Sequence, residues 1–145
     1  LLFDFGAVYD GYHSDMTRTV CFGNPSGEMQ KVYDIVLKAQ LEALNAAKAG
    51  MKCSELDKIA RDIISNAGYG ENFGHSLGHG VGLEIHEFPT ASPKSETVLE
   101  ENMVVTVEPG IYLPGKFGVR IEDFAVITGD GCINLTNTSK NFVCL

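Results

Sequence analysis

The chain begins with two short stretches in which aromatic and β-branched residues dominate, residues 3–9 (FDFGAVY) and 12–20 (YHSDMTRTV). Such composition is typical of β-strands. The dipeptide Asp10-Gly11 separates the two stretches. It is a strong signal for a two-residue hairpin loop, because a type I′ turn needs positive φ at both of its central positions. The pattern therefore predicts an antiparallel hairpin at the start of the chain.

Two stretches in the middle of the chain carry apolar residues at helical spacing. The first predicts a helix over about residues 27–48 with Ser26 as its N-cap. The second predicts a helix that begins after Ser54, with Asp57 as an imperfect capping box, and ends before Gly68. We expect both apolar faces to pack on a curved sheet. Their members are Met29, Val32, Tyr33, Val36, Ala43, Leu44 and Ala47 in the first helix, and Leu56, Ile59, Ala60, Ile63 and Ile64 in the second.

Four more strands are predicted at about residues 82–86, 103–108, 118–128 and 132–136. The polar, proline-bearing stretch 88–98 is predicted to be a surface loop. The order of elements is therefore a hairpin, two helices and then a run of strands. This order predicts an α+β fold in which the helices cover the outer face of the sheet.

Composition narrows the class of protein. The chain is 44% hydrophobic and 21% charged, as ordinary globular domains are. Its net charge of −8 and the absence of a basic run argue against a nucleic-acid partner. No apolar run approaches the length of a membrane helix, so no membrane partner is expected. The cysteines (Cys21, Cys53, Cys132 and Cys144) form no CxxC pair, which favours reduced thiols and a cytoplasmic protein.

The predicted hairpin carries two acidic side chains on one face. In the register that the turn sets, Asp4 lies opposite Thr17 and Asp15 lies opposite Gly6. The two acids are then diagonal neighbours, roughly 7–8 Å apart at the backbone. Two carboxylates on one sheet face repel each other unless a cation lies between them. The alternative is a pair of solvated acids that flank the turn.

Two further acids lie in apolar surroundings. Glu108 ends the strand-like run VVTVE, and Glu122 lies within GVRIEDFAVI. A buried carboxylate needs a partner, because an unpaired buried charge costs several kcal/mol. Arg120 shares a strand face with Glu122 by period two and could pair with it, whereas a metal ion is the more specific alternative. Asp123 points to the other side and is expected to be exposed to solvent.

Three of the four histidines fall in the glycine-rich stretch GHSLGHGVGLEIHE, as His75, His79 and His86. Glycine allows close backbone approach, which suits a wall beside a substrate. Each histidine could instead be an ordinary core or surface residue. The zinc pattern HExxH is absent, so a zincin site is not expected.

Together these residues make a ligand set of four carboxylates and one imidazole: Asp4, Asp15, His79, Glu108 and Glu122. A hard, oxygen-rich set suits a pair of divalent cations better than one structural zinc ion. The four carboxylates would balance the charge of two dications. A hydroxide that bridges the cations would then be a strong nucleophile at neutral pH. The ligand chemistry predicts hydrolysis and allows manganese, cobalt, iron or zinc.

The strings YDGYHSDMTRTV, GHSLGHGVGLEIHE, TVEPGIYLPG and GVRIEDFAVIT resemble successive signatures of the pita-bread metallopeptidases. Within that superfamily they are similar to the Xaa-Pro dipeptidase (prolidase) and aminopeptidase P branch. The resemblance implies that Asp4 binds one metal ion and that His79 and Glu108 bind the other, with Asp15 and Glu122 bridging the two. It also implies manganese or cobalt as the usual activating ion.

The same resemblance implies roles around the metals. His86 would contact the scissile carbonyl or the tetrahedral intermediate, and Glu108 would shuttle a proton. His75 would be a third catalytic residue, and it would line the substrate pocket together with Arg120. Many prolidases carry an arginine where this chain has Thr90, so longer Xaa-Pro peptides are expected as substrates besides dipeptides.

The resemblance further implies that residues 1–145 form the C-terminal part of a single pita-bread catalytic domain. We expect a curved antiparallel sheet with the N-terminal part of the domain missing. Such a part would leave a sheet edge uncovered, which favours a homodimer, and it need not be active alone. The alternatives are a non-catalytic scaffold module, a methionine aminopeptidase-like enzyme, or a hydrolase of non-peptide amides.

Overall fold

The computed structural model describes all residues 1–145. It contains two α-helices, α1 (Gly27–Ala46) and α2 (Cys53–Asn66). It contains eleven short strands: β1 (Leu2–Phe5), β2 (Val8–Tyr9), β3 (Tyr12–His13), β4 (Met16–Thr19), β5 (Gly78–Gly80), β6 (Glu87–Ala91), β7 (Val104–Val107), β8 (Gly110–Leu113), β9 (Phe117–Arg120), β10 (Asp123–Ile127) and β11 (Cys132–Asn134). The α+β composition that the sequence predicts is confirmed.

The largest sheet has five strands in the order β11-β10-β7-β5-β6, and every neighbouring pair is antiparallel. Three two-stranded antiparallel ribbons accompany it: β1 with β4, β2 with β3, and β8 with β9. Helices α1 and α2 pack against each other, α1 also contacts β7, β8, β9 and β11, and α2 contacts β6. The predicted arrangement of helices behind a sheet is therefore confirmed.

The N-terminal hairpin has the predicted turn and register. Asp10 and Gly11 both have positive φ, at 51° and 84°. Tyr9 pairs with Tyr12 across the turn, and the same register continues into the β1–β4 ribbon. The local preference of the Asp-Gly dipeptide is thus enough to align the two strands.

Helix α1 begins where the sequence predicts, since the Ser26 hydroxyl accepts a hydrogen bond from the Met29 N–H at 3.1 Å. It ends at Ala46, two residues before the predicted end. Its buried face also contains Gln40, a polar residue that the apolar spacing does not include. Packing of this face on the sheet, rather than helix propensity, decides which side is buried.

The predicted cap of α2 is wrong. The helix begins at Cys53. The Glu55 carboxylate caps its N-terminus by accepting a hydrogen bond from the backbone N–H of Lys52 at 2.9 Å. Asp57 is fully buried instead and forms an ion pair with Arg61 at 2.7 Å. Asp57 also accepts the N–H of Leu77, which ties α2 to the start of β5.

The predicted strand 82–86 is also wrong, because these residues form bends and the strands β5 and β6 lie on either side of them. Strand β5 runs through two glycines that permit close packing. A Cβ at Gly78 would lie 2.0 Å from the Thr106 carbonyl oxygen, and one at Gly80 would lie 2.2 Å from that of Phe88. Tertiary contact therefore makes a central strand from residues of low β-propensity.

The predicted loop 88–98 is wrong in its first part. Residues Phe88–Ala91 belong to β6, and Pro89 and Ala91 are buried there. Strand β6 lies at the edge of the sheet, where the missing N–H of a proline is tolerated.

The predicted long strand 118–128 is divided into β9 and β10, with Ile121 and Glu122 between them. Strand β8 was not predicted, because the Pro-Gly pair after Glu108 indicates a turn. The interruption matters for the site, since Glu122 leaves the main sheet and forms an isolated antiparallel bridge with Thr17 of β4.

The core consists of 22 buried hydrophobic residues from both helices, the main sheet, the β8–β9 ribbon and the segments that connect them, so it holds these elements in one unit. No helix combines the length and the apolar character that crossing a bilayer needs. All four cysteines are free thiols.

Candidate metal centre

The centre of the site is the point where β4 meets the break between β9 and β10. The Glu122 N–H donates to the Thr17 carbonyl oxygen at 3.1 Å, and the Thr17 hydroxyl donates to Glu122 Oε2 at 2.6 Å. Glu122 is 1% exposed, and its second carboxylate oxygen, Oε1, is buried with no hydrogen-bond partner. Buried carboxylate oxygens nearly always have a partner, so this oxygen is suited to bind a cation.

His79 reaches this point from β5. Its Nδ1 lies 2.9 Å from the carbonyl oxygen of Gly80. A carbonyl can only accept, so Nδ1 carries a proton, and in the neutral ring Nε2 keeps its lone pair. Nε2 lies 3.2 Å from Glu108 Oε1 and 3.7 Å from Asp15 Oδ2. An imidazole fixed by its other nitrogen in this way is typical of a metal ligand.

Glu108 is positioned from the end of β7. Its N–H donates to the Leu77 carbonyl oxygen at 2.8 Å. The Thr106 hydroxyl donates to Glu108 Oε1 at 3.2 Å and accepts the His79 N–H at 3.0 Å. Thr106 therefore holds two of the predicted ligands at once. The sequence analysis does not identify it, although Thr106 and Glu108 share one strand face by period two.

Asp15 enters from the hairpin and is 7% exposed. The chain can pass so close here because Gly6 lies opposite, where a Cβ would be 1.8 Å from the Ser14 carbonyl oxygen. Single ligand atoms of Asp15, His79 and Glu122 all lie within 4.8 Å of one another. Residues from three separate parts of the chain therefore meet in the geometry that one cation could bind.

Asp4 lies at the rim of the site. It pairs with Thr17 across the β1–β4 ribbon as predicted, but its side chain is 48% exposed and forms an ion pair with Arg120. The ion pair between Arg120 and Glu122 that the sequence allows is not formed. Arg120 donates through Nε to the Thr17 hydroxyl at 3.0 Å and through Nη1 to the Tyr112 hydroxyl at 3.1 Å.

Burial and the concentration of negative charge together shift the pKa values of the ligand residues. Burial and the nearby charge of Glu108 raise the pKa of Glu122 to about 8. Burial, together with the charge of Asp4, raises the pKa of Asp15. Burial alone would lower the pKa of His79, but its hydrogen bonds to Glu108 and Gly80, together with the charges of Glu108 and Asp15, outweigh that effect and raise the pKa. Each raised pKa means that the group binds a proton more readily than it would in water, at a position where a divalent cation would compete with that proton. The residues fit such ions in number, type and charge.

A cleft of about 660 Å³ opens beside these ligands. Its wall contains all three histidines of the glycine-rich stretch, and the lining residues are His75, Ser76, Gly78, His79, His86, Glu87, Phe88, Thr90, Glu108 and Arg120. The exposed His86 ring lies 4.2 Å from that of His79, measured between ring centroids. The structure thus brings the predicted substrate-lining residues to the ligand cluster.

His75 is held by a chain of hydrogen bonds. Its Nδ1 donates to the Ser76 carbonyl oxygen at 2.8 Å, so Nε2 accepts from the Tyr112 hydroxyl at 2.9 Å. Tyr112 in turn accepts from Arg120. The sequence analysis does not identify Tyr112, and its position four residues after Glu108 in the quoted EPGIY string is the available signal.

The expectation that Asp123 is exposed is wrong. Asp123 is fully buried, and its carboxylate accepts from Arg18 at 2.7 Å, Gln40 at 3.0 Å and Asn134 at 2.7 Å, with Lys140 Nζ at 2.5 Å. The break before β10 places this side chain inside the domain, where several donors compensate its charge.

Comparison with known proteins identifies relatives along the whole chain. Residues 1–129 match the model of metallopeptidase family M24. The chain is 54% identical to a Xaa-Pro dipeptidase of Pyrococcus furiosus over 143 residues, which are 99% of this chain and 41% of the relative. It is 52% identical to a Xaa-Pro dipeptidase of Lactobacillus delbrueckii subsp. lactis over 145 residues, 100% of this chain and 39% of the relative.

Solved structures agree with these matches. A Xaa-Pro dipeptidase from Bacillus anthracis superposes with a TM-score of 0.98 at 53% identity, over 99% of this chain and 41% of that one. An X-Pro aminopeptidase from Thermotoga maritima superposes with a TM-score of 0.97 at 51% identity, over 99% and 40%. The chain spans about two fifths of the length of these relatives and matches their C-terminal part.

Proposed function

The chain belongs to metallopeptidase family M24 and has its pita-bread fold, and from this premise we propose that it hydrolyses the bond between an N-terminal residue and a proline. In this proposal, residues 1–145 are the C-terminal part of one catalytic domain, and they supply its ligands and most of its cleft. The proposal is carried by the convergence of Asp15, His79 and Glu122, which bring one ligand atom each within 4.8 Å of one another, together with the buried carboxylate oxygen of Glu122 that has no hydrogen-bond partner. The Xaa-Pro activity in the names of relatives at more than 50% identity supports the substrate class.

We assign the ligand set as two overlapping groups. Asp15 and Glu122 would serve both cations, His79 and Glu108 would complete one site, and Asp4 would complete the other. Two divalent cations, when bound, would supply Lewis acidity and a hydroxide nucleophile at neutral pH. Manganese is the first candidate, and cobalt, zinc and iron share the required preference for oxygen and imidazole ligands.

The protein's own groups would position the peptide and move its protons. His86 is exposed in the cleft and beside His79, so it can donate a hydrogen bond to the carbonyl oxygen as negative charge develops there. The Glu108 carboxylate faces the same space and can accept a proton from the attacking water and return it to the departing amine. His75 and Arg120 would contact the substrate, with His75 oriented by Tyr112.

The charge of the side chains that line the cleft affects the length of peptide that can bind. Thr90 lines it and offers no charge to a dipeptide carboxylate, and Arg120 is the only lysine or arginine in the lining. Arg120 is already occupied by Asp4, Thr17 and Tyr112. We therefore propose that short Xaa-Pro-Yaa peptides are cleaved as well as Xaa-Pro dipeptides.

We further propose that the protein is a homodimer and that it is located in the cytoplasm. Large apolar side chains are exposed along the hairpin, including Phe5, Val8 and Tyr9, and such a patch favours self-association. Free thiols on all four cysteines agree with a reducing compartment. Light scattering on the purified chain tests the dimer.

The activity is tested by following release of the first residue from Xaa-Pro and Xaa-Pro-Yaa peptides with manganese, with Xaa-Ala peptides as the specificity control. The assay uses this chain and a chimera in which it replaces the matching 41% of the Pyrococcus furiosus dipeptidase. We expect the chimera to cleave only the proline peptides, and its Glu122→Gln variant to be inactive.

Three results would contradict the proposal. Cleavage of Met-Ala peptides alone would indicate a methionine aminopeptidase. Cleavage of amides that are not peptides would indicate another hydrolase. A chimera that folds but binds no manganese would indicate a scaffold module.

A further inference from the structure

The Thr17 hydroxyl joins a cleft residue to a predicted metal ligand. It accepts the Nε–H of Arg120 at 3.0 Å and donates to Glu122 Oε2 at 2.6 Å. With Glu122 ionised, the direction of both bonds is fixed, because a guanidinium can only donate, a carboxylate can only accept and a hydroxyl has one proton to give. The proton of Thr17 therefore points at the ionised Glu122 carboxylate.

The backbone around Thr17 holds this hydroxyl in place. The Thr17 carbonyl oxygen accepts from the Glu122 N–H at 3.1 Å and from Arg18 Nη1 at 2.9 Å. The same Arg18 nitrogen donates to the Glu122 carbonyl oxygen at 2.6 Å. Thr17 is fully buried, so water cannot replace its hydroxyl as the partner of the carboxylate.

The two oxygens of Glu122 are consequently different. Oε2 is held by Thr17, whereas Oε1 is buried and has no partner. A carboxylate free to rotate could exchange these oxygens or turn towards Arg120. The Thr17 bond removes that freedom and leaves one defined oxygen, Oε1, without a partner in the protein.

We propose that Thr17 is a positioning residue for the metal centre, which sets the orientation of Glu122 and couples it to Arg120. This inference rests on the proposed function, because it assigns the purpose of the orientation to cation binding. Loss of an outer hydrogen bond of this kind typically lowers metal affinity by about 10–100-fold. We expect a loss in that range when the hydroxyl is removed.

Three substitutions separate positioning from a general structural role. Thr17→Val removes the hydroxyl at nearly constant shape, and Thr17→Ser keeps it. Thr19→Val is the matched control on the same strand, since Thr19 is 5% exposed and bonds the Arg120 backbone, with its hydroxyl 2.9 Å from the carbonyl oxygen. For each variant, calorimetry gives the manganese dissociation constants, visible absorption of the cobalt form reports ligand geometry, and urea unfolding reports stability.

We expect Thr17→Val to weaken manganese binding by about tenfold or more and to change the cobalt spectrum. Thr17→Ser should keep the manganese affinity and the cobalt spectrum of the unsubstituted chain. Thr19→Val should lower stability and leave the affinity and the spectrum unchanged. Unchanged affinity in Thr17→Val, or an equal loss of affinity in Thr17→Val and Thr19→Val, would overturn the inference.

A second measurement separates this inference from the proposed function. Crystal structures of the cation-free chain and its Thr17→Val variant should show one orientation of the Glu122 carboxylate in the first and more than one in the second. If the unsubstituted chain bound no cation, the proposed function would fail, and these structures would still decide whether Thr17 orients Glu122. A single shared orientation would overturn the positioning role.

Discussion

The Nε2 atom of His79 lies 3.2 Å from Oε1 of Glu108, although the two side chains come from different strands. The opposite nitrogen of the ring is bound to the Gly80 carbonyl oxygen, so Nε2 can meet the carboxylate only with an additional proton or a cation. This relationship makes protons and metal ions competitors for one position, and pH is the variable that reveals the competition.

In the absence of cations, we expect the free energy of unfolding to fall as pH rises. The pKa values of Glu122, Asp15 and His79 are all raised above their ordinary values, that of Glu122 to about 8. A group with a raised pKa in the folded state stabilises the fold fully below its unfolded pKa, and this contribution is lost as pH rises through the folded value. For Glu122 the window runs from its ordinary 4.5 to about 8. Urea unfolding with a chelator across that window measures the slope.

Saturating manganese should reverse this slope, because cations bind only the deprotonated ligands. Glu122→Gln is the control, and we expect it to flatten the slope without cations. A stability that rose with pH in the chelated chain would contradict the protonation of the cluster.

Removing a shared ligand should abolish metal binding and turnover together. We expect this for Asp15→Ala and for Glu122→Ala, measured by metal analysis of the dialysed protein and by peptide hydrolysis. Glu122→Gln should in addition make the cation-free chain more stable above neutral pH, because a neutral amide replaces a buried carboxylate that must otherwise be charged or protonated. A variant that kept two ions and full activity would refute the bridging role of its residue.

His86→Ala should leave metal affinity unchanged and lower kcat. The side chain is exposed in the cleft and belongs to no ligand cluster, so it is free to meet the substrate. Loss of a donor to a developing oxyanion typically lowers kcat by about 10²–10³-fold. Steady-state kinetics and calorimetry on the active chimera check both parts. His13→Ala is the matched control, since His13 does not line the cleft, and an equal effect of the two substitutions would contradict the role of His86.

The buried ion pair of Arg18 and Asp123 should matter more for stability than a surface pair. Arg18→Met removes a guanidinium that is 9% exposed and leaves the fully buried Asp123 undercompensated, which should cost about 3 kcal/mol. Lys58→Met is the control, because its partner Asp62 lies one helical turn away and both side chains are more than half exposed. That change should cost under about 1 kcal/mol. Equal changes in the free energy of unfolding would contradict this account.

The features that the sequence predicts well are those decided by local chemistry. The Asp10-Gly11 turn fixes the hairpin register, and through it the pairing of Asp4 with Thr17. Ser26 caps α1 by a bond to a neighbour three residues away. These preferences act within a few residues, so the order of amino acids is sufficient to read them.

The features that it misses depend on contacts between distant parts of the chain. Strand β5 forms around Gly78 because Thr106 packs against it, and glycine has no strand preference of its own. Asp123 is buried because Arg18 and Lys140 reach it from other elements. Periodicity describes one strand at a time, and it cannot show which distant side chains will compensate a charge.

The ligand set is an intermediate case. The sequence predicts all five residues as ligands. In the structure, one ligand atom each of Asp15, His79 and Glu122 lies within 4.8 Å of the others, and Glu108 lies beside His79. The sequence cannot predict that Asp4 pairs with Arg120, because that contact depends on how β1 and β9 approach each other.

The central claim is that these separate strands hold two cations in one pocket, and anomalous diffraction from crystals grown with manganese tests it most directly. The account predicts two anomalous peaks, both contacting Asp15 and Glu122, with His79 and Glu108 on one ion and Asp4 on the other. A fully ordered site with no peak, or with manganese bound away from Glu122, would contradict it.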